Sequence, residues 1–283
     1  MGRVVVVGSA NVDLVWQGAR LPTPGETVTD GQFAEALGGK GANQAAAAKE
    51  LGADVRFVGC IGDDSRGWAV AGDLEARGID CAFLSTSTEP TGVALVAVDA
   101  AGENMVAVAP GANRSLAPEA AVDAIEPGDV VLCSCEIPLE TVQATVTAAI
   151  ERGATVIVNP APPRALIPGA ILTPNEHECT HLGGIDVLVA VAPAVIVTRG
   201  GRGATLHRAD HAPHDQPAFA VDVIDTIGAG DAFNGALAWA LLTGRTRPDA
   251  ARMACAAGAL ATRALGARAA LPTAPEVYAL CSS

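Results

Sequence analysis

The residue types best suited to chemistry occur in one glycine-rich turn, Asp225-Thr226-Ile227-Gly228-Ala229-Gly230-Asp231, which opens an apolar helix predicted from about residue 229. Glycines at a helix start let backbone N–H groups approach an anion, and that helix end carries about half a positive charge. A carboxylate beside such an anion hole can accept the proton of an attacking hydroxyl. An isolated Asp in a first helical turn is more often only a favourable helix-dipole charge. The glycines favour Asp231 as a general base for phosphoryl transfer.

A second glycine-rich turn, Gly38-Gly39-Lys40-Gly41-Ala42-Asn43-Gln44, also leads into a predicted helix. It is not a Walker A loop, because Gly follows Lys40 and the spacing differs. Lys40 and Asn43 could donate hydrogen bonds to a polyhydroxyl ligand. Asn11 and Asp13 follow the first predicted strand and point the same way in extended chain, so they could bind two sugar hydroxyls. Plain turns are the alternative for both stretches.

Two further stretches fit a nucleotide and its metal. Asn175 and Glu178 are three residues apart, and their oxygens could order water around Mg²⁺, although a helix cap would use the same residue types. The run Thr198-Arg199-Gly200-Gly201-Arg202-Gly203 follows a predicted strand and provides a glycine loop with cations. This run alone is a weak indication of a phosphate contact.

The elements that must position these residues alternate between β-branched runs and Ala/Leu-rich helical stretches. Strands buried on both faces are predicted at 4–7, 130–132, 156–158 and 195–197, and helices at 42–51, 68–77, 139–152 and 229–242. Segments at about 13–35 and 91–109 contain short strands separated by turns, and they predict a small antiparallel layer. We therefore expect one kinase-sized α/β domain over residues 1–283, with this layer as a lid over a pocket at the strand ends.

Composition excludes several other classes. A net charge of -13 and 3% aromatic residues disfavour nucleic-acid binding, and no apolar stretch reaches the length of a membrane span. The seven cysteines are scattered without a CxxC pair, which predicts free thiols in a reducing, cytoplasmic setting. No G-x-G-x-x-G follows the first strand, so a dinucleotide-dependent oxidoreductase is disfavoured.

Together these motifs resemble the PfkB carbohydrate-kinase family, and within it the ribokinase branch, over nearly the whole chain. The matching stretches are 8–13, 22–27, 38–44, 136–140, 159–162, 173–178 and 225–235. The resemblance implies a ribokinase-like fold, which is a three-layer α/β/α sandwich with a mostly parallel central sheet and a small β-sheet lid. It also implies dimerisation through the lid.

The same resemblance assigns roles to individual residues. Asp231 would be the base, and the anion hole would comprise Gly228, Ala229 and Gly230. The sugar would be held by Asn11, Asp13, Gly39, Lys40, Asn43, Glu136 and Asp231. The nucleotide would contact Asn175, Thr198, Gly200, Gly203, Gly230 and Cys255. Glu178 would hold Mg²⁺ through water, and K⁺ would bind near Asp225, Ile227, Ala261 and Gly266.

The implied reaction is transfer of the γ-phosphate of MgATP to O5 of ribose. A nucleoside kinase of the same family and a sugar- or nucleotide-binding regulator without turnover are the alternatives. Three features differ from the usual family pattern. Region 183–194 is short and is predicted to lack a helix, Ala270 replaces a frequent Ser in the K⁺ loop, and Cys255 replaces a polar residue near the adenine.

Overall fold

A nine-stranded sheet lies at the centre of the computed structural model, which describes residues 2–101 and 103–283. In sheet order the strands are β13 (His214–Gln216), β12 (Ala204–His207), β11 (Val195–Thr198), β10 (Ile171–Leu172), β9 (Thr155–Asn159), β8 (Val130–Ser134), β1 (Val4–Val7), β4 (Val55–Gly62) and β5 (Asp80–Ser87). The strands from β5 to β11 are parallel, whereas β12 and β13 pair antiparallel at one edge. The predicted mostly parallel sheet is confirmed.

Helices cover both faces of this sheet. They are α1 (Lys40–Glu50), α2 (Ser65–Ala76), α3 (Pro118–Asp123), α4 (Leu139–Glu151), α5 (Glu176–His181), α6 (Ile185–Val191), α7 (Ala229–Leu242), α8 (Arg247–Ala261) and α9 (Ala274–Ser282). In β1, Val4 and Val6 pack into the core formed with α1, α2, α7, α8 and α9, whereas Val5 and Val7 pack into the core formed with α3 to α6. This alternation follows from the two-residue period of a strand. The chain therefore forms the predicted three-layer sandwich.

The expectation that region 183–194 lacks a helix is wrong. The structure has the seven-residue helix α6 there, beginning after Gly184. Leu188 is fully buried in the core on that side of the sheet, so apolar packing stabilises a helix too short to persist alone in water.

A separate four-stranded sheet forms the predicted lid. Its strands are β2 (Asn11–Gln17), β3 (Gln32–Gly38), β6 (Gly92–Val98) and β7 (Asn104–Ala109), in the order β3-β2-β6-β7. The outer pairs β2–β3 and β6–β7 are antiparallel, as expected, whereas the central pair β2–β6 is parallel, which the expectation of an antiparallel layer did not include. The reason is that β2 follows β1 and β6 follows β5, and β1 and β5 run in the same direction in the central sheet. The lid thus rises from the carboxyl ends of the central strands.

None of the helices in residues 2–101 and 103–283 has the length and apolar character required to cross a membrane.

Candidate active site

The glycine-rich turn before α7 meets the carboxyl ends of the central strands. Gly228 precedes α7 with a φ of 78°, and a Cβ there would lie 2.6 Å from Ala267 Cα. Only glycine fits this conformation and this close contact. The backbone N of Ala229 donates to the carbonyl of Thr226 at 3.2 Å. The next N–H groups of the first helical turn have no partner within the helix, so they can donate to an anion in the cavity that Gly228 and Gly230 line. The backbone at this turn is therefore a candidate for the predicted anion hole.

Asp231 lies in the first turn of α7 and is only 8% exposed. Its Oδ2 accepts a hydrogen bond from Asn43 Nδ2 at 3.0 Å, and its Oδ1 accepts one from Gln44 Nε2 at 3.1 Å. Burial raises the pKa of Asp231, while the charge of Lys40 and the two amide donors oppose that rise. A poorly hydrated carboxylate is a stronger proton acceptor than a hydrated one, so this setting suits a general base.

Lys40, the first residue of α1, lines the same cavity as Asp231. Burial alone would lower the pKa of its ammonium group, but the pKa is raised because Asp231, Glu136 and Glu178 are negatively charged. Glu136 Oε2 accepts hydrogen bonds from Ser9 Oγ at 2.5 Å and from the backbone N of Lys40 at 3.4 Å. Glu136 therefore anchors the start of α1 through the Lys40 backbone, and three carboxylates act electrostatically on the Lys40 ammonium group.

The remaining predicted sugar residues lie where the lid joins the body. Asn11 Oδ1 accepts a hydrogen bond from Asn113 Nδ2 at 2.7 Å, which orients the Asn11 amide. Gly39 has a φ of 86°, and a Cβ there would lie 2.7 Å from the backbone N of Asn11. Burial raises the pKa of Asp13 to about 6, and the negative charge of Glu136 adds to this rise. The structure thus brings the predicted sugar-binding residues to one region around α1 and the start of β2.

Two adjoining cavities lie beside this region. The smaller, about 250 Å³, is polar and contains Lys40, Glu178 and Asp231 in its wall. The larger, about 370 Å³, is lined by every residue predicted to contact the nucleotide, namely Asn175, Thr198, Gly200, Gly203, Gly230 and Cys255. Both cavities share Asn175, Thr198, Thr226 and Gly230. A ligand with an apolar end and an anionic end could therefore run from the larger cavity to Asp231.

Cys255 contributes a thiol to the larger cavity, beside Phe233 and Ala259. Burial raises the pKa of this thiol to about 12, so it is uncharged and acts as a small apolar wall residue. Cys255 thus offers an apolar contact at the position where the family resemblance places the adenine.

Asn175 and Glu178 form a helix cap, which is the alternative that the sequence left open. Asn175 Oδ1 accepts from the backbone N of Glu178 at 2.8 Å, and Glu178 Oε2 accepts from the backbone N of Asn175 at 2.8 Å. Glu178 also lines the smaller cavity, and burial raises its pKa. The helix cap leaves Glu178 able to face a metal ion as well, since Glu178 Oε1 has no hydrogen bond to residues 2–101 or 103–283.

The residues predicted to surround K⁺ lie on two touching segments. Asp225 Oδ1 accepts from the backbone N of Ile227 at 2.9 Å, and Asp225 Oδ2 accepts from the backbone N of Gly266 at 2.8 Å. Ala261 is buried at the end of α8, and the carbonyl of the next residue, Thr262, accepts from the backbone N of Asp225 at 3.1 Å. Within the described part of the chain, no cluster of three or more His, Cys, Asp or Glu side chains could hold a metal ion. A cation here would therefore depend largely on backbone carbonyl oxygens.

Sequence reasoning missed four residues that donate hydrogen bonds to predicted site residues. Gln44 and Asn113 bind the predicted residues Asp231 and Asn11. Asn234 Nδ2 donates to the carbonyl of Gly230 at 2.8 Å, and Arg268 Nε donates to Asn43 Oδ1 at 2.8 Å. Gln44 and Asn234 lie inside the matching stretches 38–44 and 225–235, one and three residues from assigned positions, and this was the signal that could have found them. Asn113 and Arg268 lie in segments without a motif.

Comparisons with known proteins agree with this arrangement. A family model described as pfkB family carbohydrate kinase matches residues 1–274. Ribokinase of Bacillus subtilis is 38% identical over 293 residues, with 100% of both chains covered. Ribokinase of Haemophilus influenzae is 36% identical, with 96% of each chain covered. The structure of Arabidopsis thaliana ribokinase complexed with ribose and ATP superposes with a TM-score of 0.86 at 30% identity, over 100% of both chains.

Proposed function

Because this chain belongs to the pfkB family of carbohydrate kinases, we propose that residues 1–283 act as one domain that transfers the γ-phosphate of ATP to O5 of ribose. The observation that carries this proposal is the position of Asp231. Its carboxylate is held by Asn43 and Gln44 of α1, while its own helix begins at the anion hole. The carboxylate of Asp231 thus adjoins both the predicted sugar residues and the smaller cavity. The relatives named ribokinase, including the one complexed with ribose and ATP, support ribose as the acceptor.

In the proposed reaction, Asn11, Asp13 and Lys40 bind hydroxyls of the sugar and present O5 to Asp231. Asp231 accepts the O5 proton as O5 attacks the γ-phosphorus, and ADP leaves in line. The N–H groups around Gly228, Ala229 and Gly230 stabilise charge on the transferring group. Closing the lid over the sugar excludes water and so limits ATP hydrolysis.

Mg²⁺ fits beside Glu178, because this carboxylate lines the smaller cavity and keeps one oxygen free of protein hydrogen bonds within the described residues. Mg²⁺ retains several water ligands and takes few protein ligands, so Glu178 would hold it through water. Bound there, the ion would supply charge neutralisation for the phosphates.

The acceptor is tested by measuring ADP release with MgATP and a panel of ribose, deoxyribose, fructose, adenosine, uridine and fructose 6-phosphate. We expect strong turnover with ribose alone. A preference for adenosine or uridine would keep the mechanism and replace ribose by a nucleoside. No turnover with any acceptor would favour a binding protein without activity.

Sugar binding should weaken in acid because of Asp13. Its pKa is raised to about 6, and the ionised form accepts hydrogen bonds from sugar hydroxyls, so protonation below pH 6 removes the negative charge and turns one acceptor oxygen into a donor. We expect KM for ribose to rise as the pH falls through about 6, while KM for ATP stays nearly constant. In Asp13→Asn, KM for ribose should be high and independent of pH in this range. Loss of ATP binding in that variant would mean that the two half-sites are reversed.

K⁺ should activate the enzyme through the segments joined by Asp225. The carboxylate of Asp225 ties residue 227 to residue 266, and the neighbouring Ala267 packs against Gly228 of the anion hole. A cation that orders these segments would order the anion hole as well, so kcat should be several-fold higher in K⁺ than in Na⁺. Asp225→Ala should remove the difference. Equal kcat in K⁺, Na⁺ and choline would exclude this role.

A homodimer through the lid is supported by apolar side chains exposed on its strands. Phe33, Leu95, Met105 and Val106 are each more than half exposed. Burying such side chains in an interface is favourable. Analytical ultracentrifugation should show a dimer that Val106→Glu converts to a monomer, whereas a wild-type monomer at micromolar concentration would contradict the proposed homodimer.

A cytoplasmic location is supported by the seven cysteines, which are all free thiols.

A further inference from the structure

Arg268 is a buried guanidinium that none of the roles above uses. Its side chain is 8% exposed. Nε donates to Asn43 Oδ1 at 2.8 Å, Nη1 donates to Asp73 Oδ2 at 2.6 Å, and Nη2 donates to the carbonyl of Gly38 at 3.2 Å. Because a guanidinium is planar and its donors are fixed, three acceptors on separate elements allow only one orientation of the side chain.

The bond from Arg268 decides how the Asn43 amide is turned. An amide carries one oxygen and one NH₂ group, and a donor at the oxygen forces the NH₂ group to the opposite side. On that side Asn43 Nδ2 donates to Asp231 Oδ2 at 3.0 Å. If the amide turned over, its oxygen would face the carboxylate of Asp231 and repel it. Arg268 therefore keeps Asn43 in the one orientation that holds the base.

Arg268 also ends a tripeptide whose members touch different parts of the site. The backbone N of Gly266 donates to Asp225, and Ala267 packs against Gly228 so closely that a Cβ on Gly228 would lie 2.6 Å from Ala267 Cα. Arg268 follows with its contacts to Asn43 and to Gly38, the last residue of the lid strand β3. Three consecutive residues thus connect the anion hole to the base and to the root of the lid.

We propose that Arg268 is a positioning residue for phosphoryl transfer, which acts through Asn43 on Asp231 and joins the sugar side of the site to the anion-hole segment. This inference rests on the proposed kinase function. It predicts that loss of Arg268 lowers kcat, because Asp231 loses its fixed place relative to the attacking hydroxyl. It also predicts that ATP binding is retained, since Arg268 does not line the larger cavity.

The chain offers a matched control in Arg77. Arg77 Nε pairs with Asp73 Oδ2 at 3.1 Å, and Arg268 Nη1 pairs with the same oxygen at 2.6 Å. Each of Arg77→Met and Arg268→Met removes one arginine from Asp73, but only Arg268→Met releases Asn43. We expect Arg268→Met to lower kcat by about tenfold or more with KM for ATP within about twofold, because small displacements of reacting groups cost up to about a hundredfold in rate. Arg77→Met should leave both constants within about twofold of wild type.

A double-mutant cycle with Asn43→Ala tests the route of the effect. If Arg268 acts through Asn43, the double variant should have nearly the kcat of Asn43→Ala alone. Fully multiplicative losses would overturn the proposal, as would a kcat in Arg268→Met equal to that of Arg77→Met. A rise of KM for ATP in step with the loss of kcat would also overturn it.

If Arg268→Met does not fold, Arg268→Lys tests the same positioning role. Lysine keeps the charge near Asp73 but lacks the planar fork, so it should retain the melting temperature and lose kcat. A wild-type kcat in this variant would refute the positioning role. All variants are measured with whichever acceptor the wild type uses. Absence of turnover with ribose would therefore contradict ribose as the acceptor, whereas a wild-type kcat in the Arg268 variants would contradict the positioning role of Arg268.

Discussion

Replacing Asp231 with asparagine should lower kcat by about a hundred- to ten-thousand-fold, the range that a positioned general base supplies. Asparagine has nearly the same shape but cannot accept the hydroxyl proton. KM for ATP should change little, because the N–H groups of the anion hole belong to the backbone and remain in place. Steady-state kinetics with saturating MgATP and ribose measure the loss. A decrease of less than about tenfold would show that another group takes the proton.

The Asp231→Asn variant should remain folded, so the loss of activity can be assigned to chemistry. Burial raises the pKa of Asp231, so stability is lost as the pH rises from the ordinary pKa of an aspartate through this raised value, and the cost of ionisation is fully present at higher pH. A neutral asparagine removes this cost. Gln44 Oε1 is buried and has no hydrogen-bond partner within residues 2–101 and 103–283, so a turned Gln44 amide can accept from the new NH₂ group. This turn gives up the 3.2 Å hydrogen bond from Gln44 Nε2 to Asn159 Oδ1, which is a smaller loss than the cost of a buried charge. We expect a melting temperature at pH 8 that is equal to or above that of the wild type.

Local sequence was sufficient to propose the candidate anion hole and the candidate base. The glycines at 228 and 230 and the carboxylate of Asp231 lie within one helical turn, so their relative geometry depends on helix rules rather than on the fold. The strands of the central sheet were predictable for a similar reason, because continuous β-branched runs such as Val4–Val7 suit burial on both faces. The family resemblance and the sandwich it implies are confirmed.

Contacts between distant segments were beyond sequence reasoning. Gln44 reaches Asp231 over 187 residues, Arg268 reaches Asn43 over 225, and Asn113 reaches Asn11 over 102. A single amide or guanidinium in an otherwise ordinary segment gives no periodic or motif signal. Its importance appears only when the fold brings it beside a residue already suspected of a role.

Strand direction and short helices were the errors at the level of the fold. The two-residue period of β2 and β6 predicts strands but says nothing about whether neighbours are parallel, and the lid is parallel at its centre. Helix α6 was missed because seven residues offer less than two full turns of pattern. Its stability comes from the burial of Leu188 against the sheet, which is a tertiary effect.

Replacing Gly228 with alanine should lower kcat by about a hundred- to a thousandfold, as expected when the donors of an anion hole are displaced. The new Cβ would lie 2.6 Å from Ala267 Cα and 2.8 Å from the carbonyl oxygen of Ala267, and neither atom can move without shifting backbone. The backbone of the turn before α7 or of Ala267 must therefore shift, which displaces the N–H groups of the proposed anion hole. Steady-state kinetics measure kcat, and fluorescence titration with an ATP analogue measures whether the nucleotide still binds.

Gly52→Ala is the matched control for the backbone cost of this substitution. Gly52 follows α1 with a φ of 92°, and a Cβ there would meet no atom within 4 Å. An alanine in this left-handed conformation costs about 1–2 kcal/mol. Gly52→Ala should therefore lower the melting temperature without changing kcat, whereas Gly228→Ala should lower both. If Gly228→Ala kept kcat within about threefold of wild type, groups other than the backbone at Gly228 would have to stabilise the transferring phosphoryl group. Lys40 and Mg²⁺ would then supply most of that stabilisation.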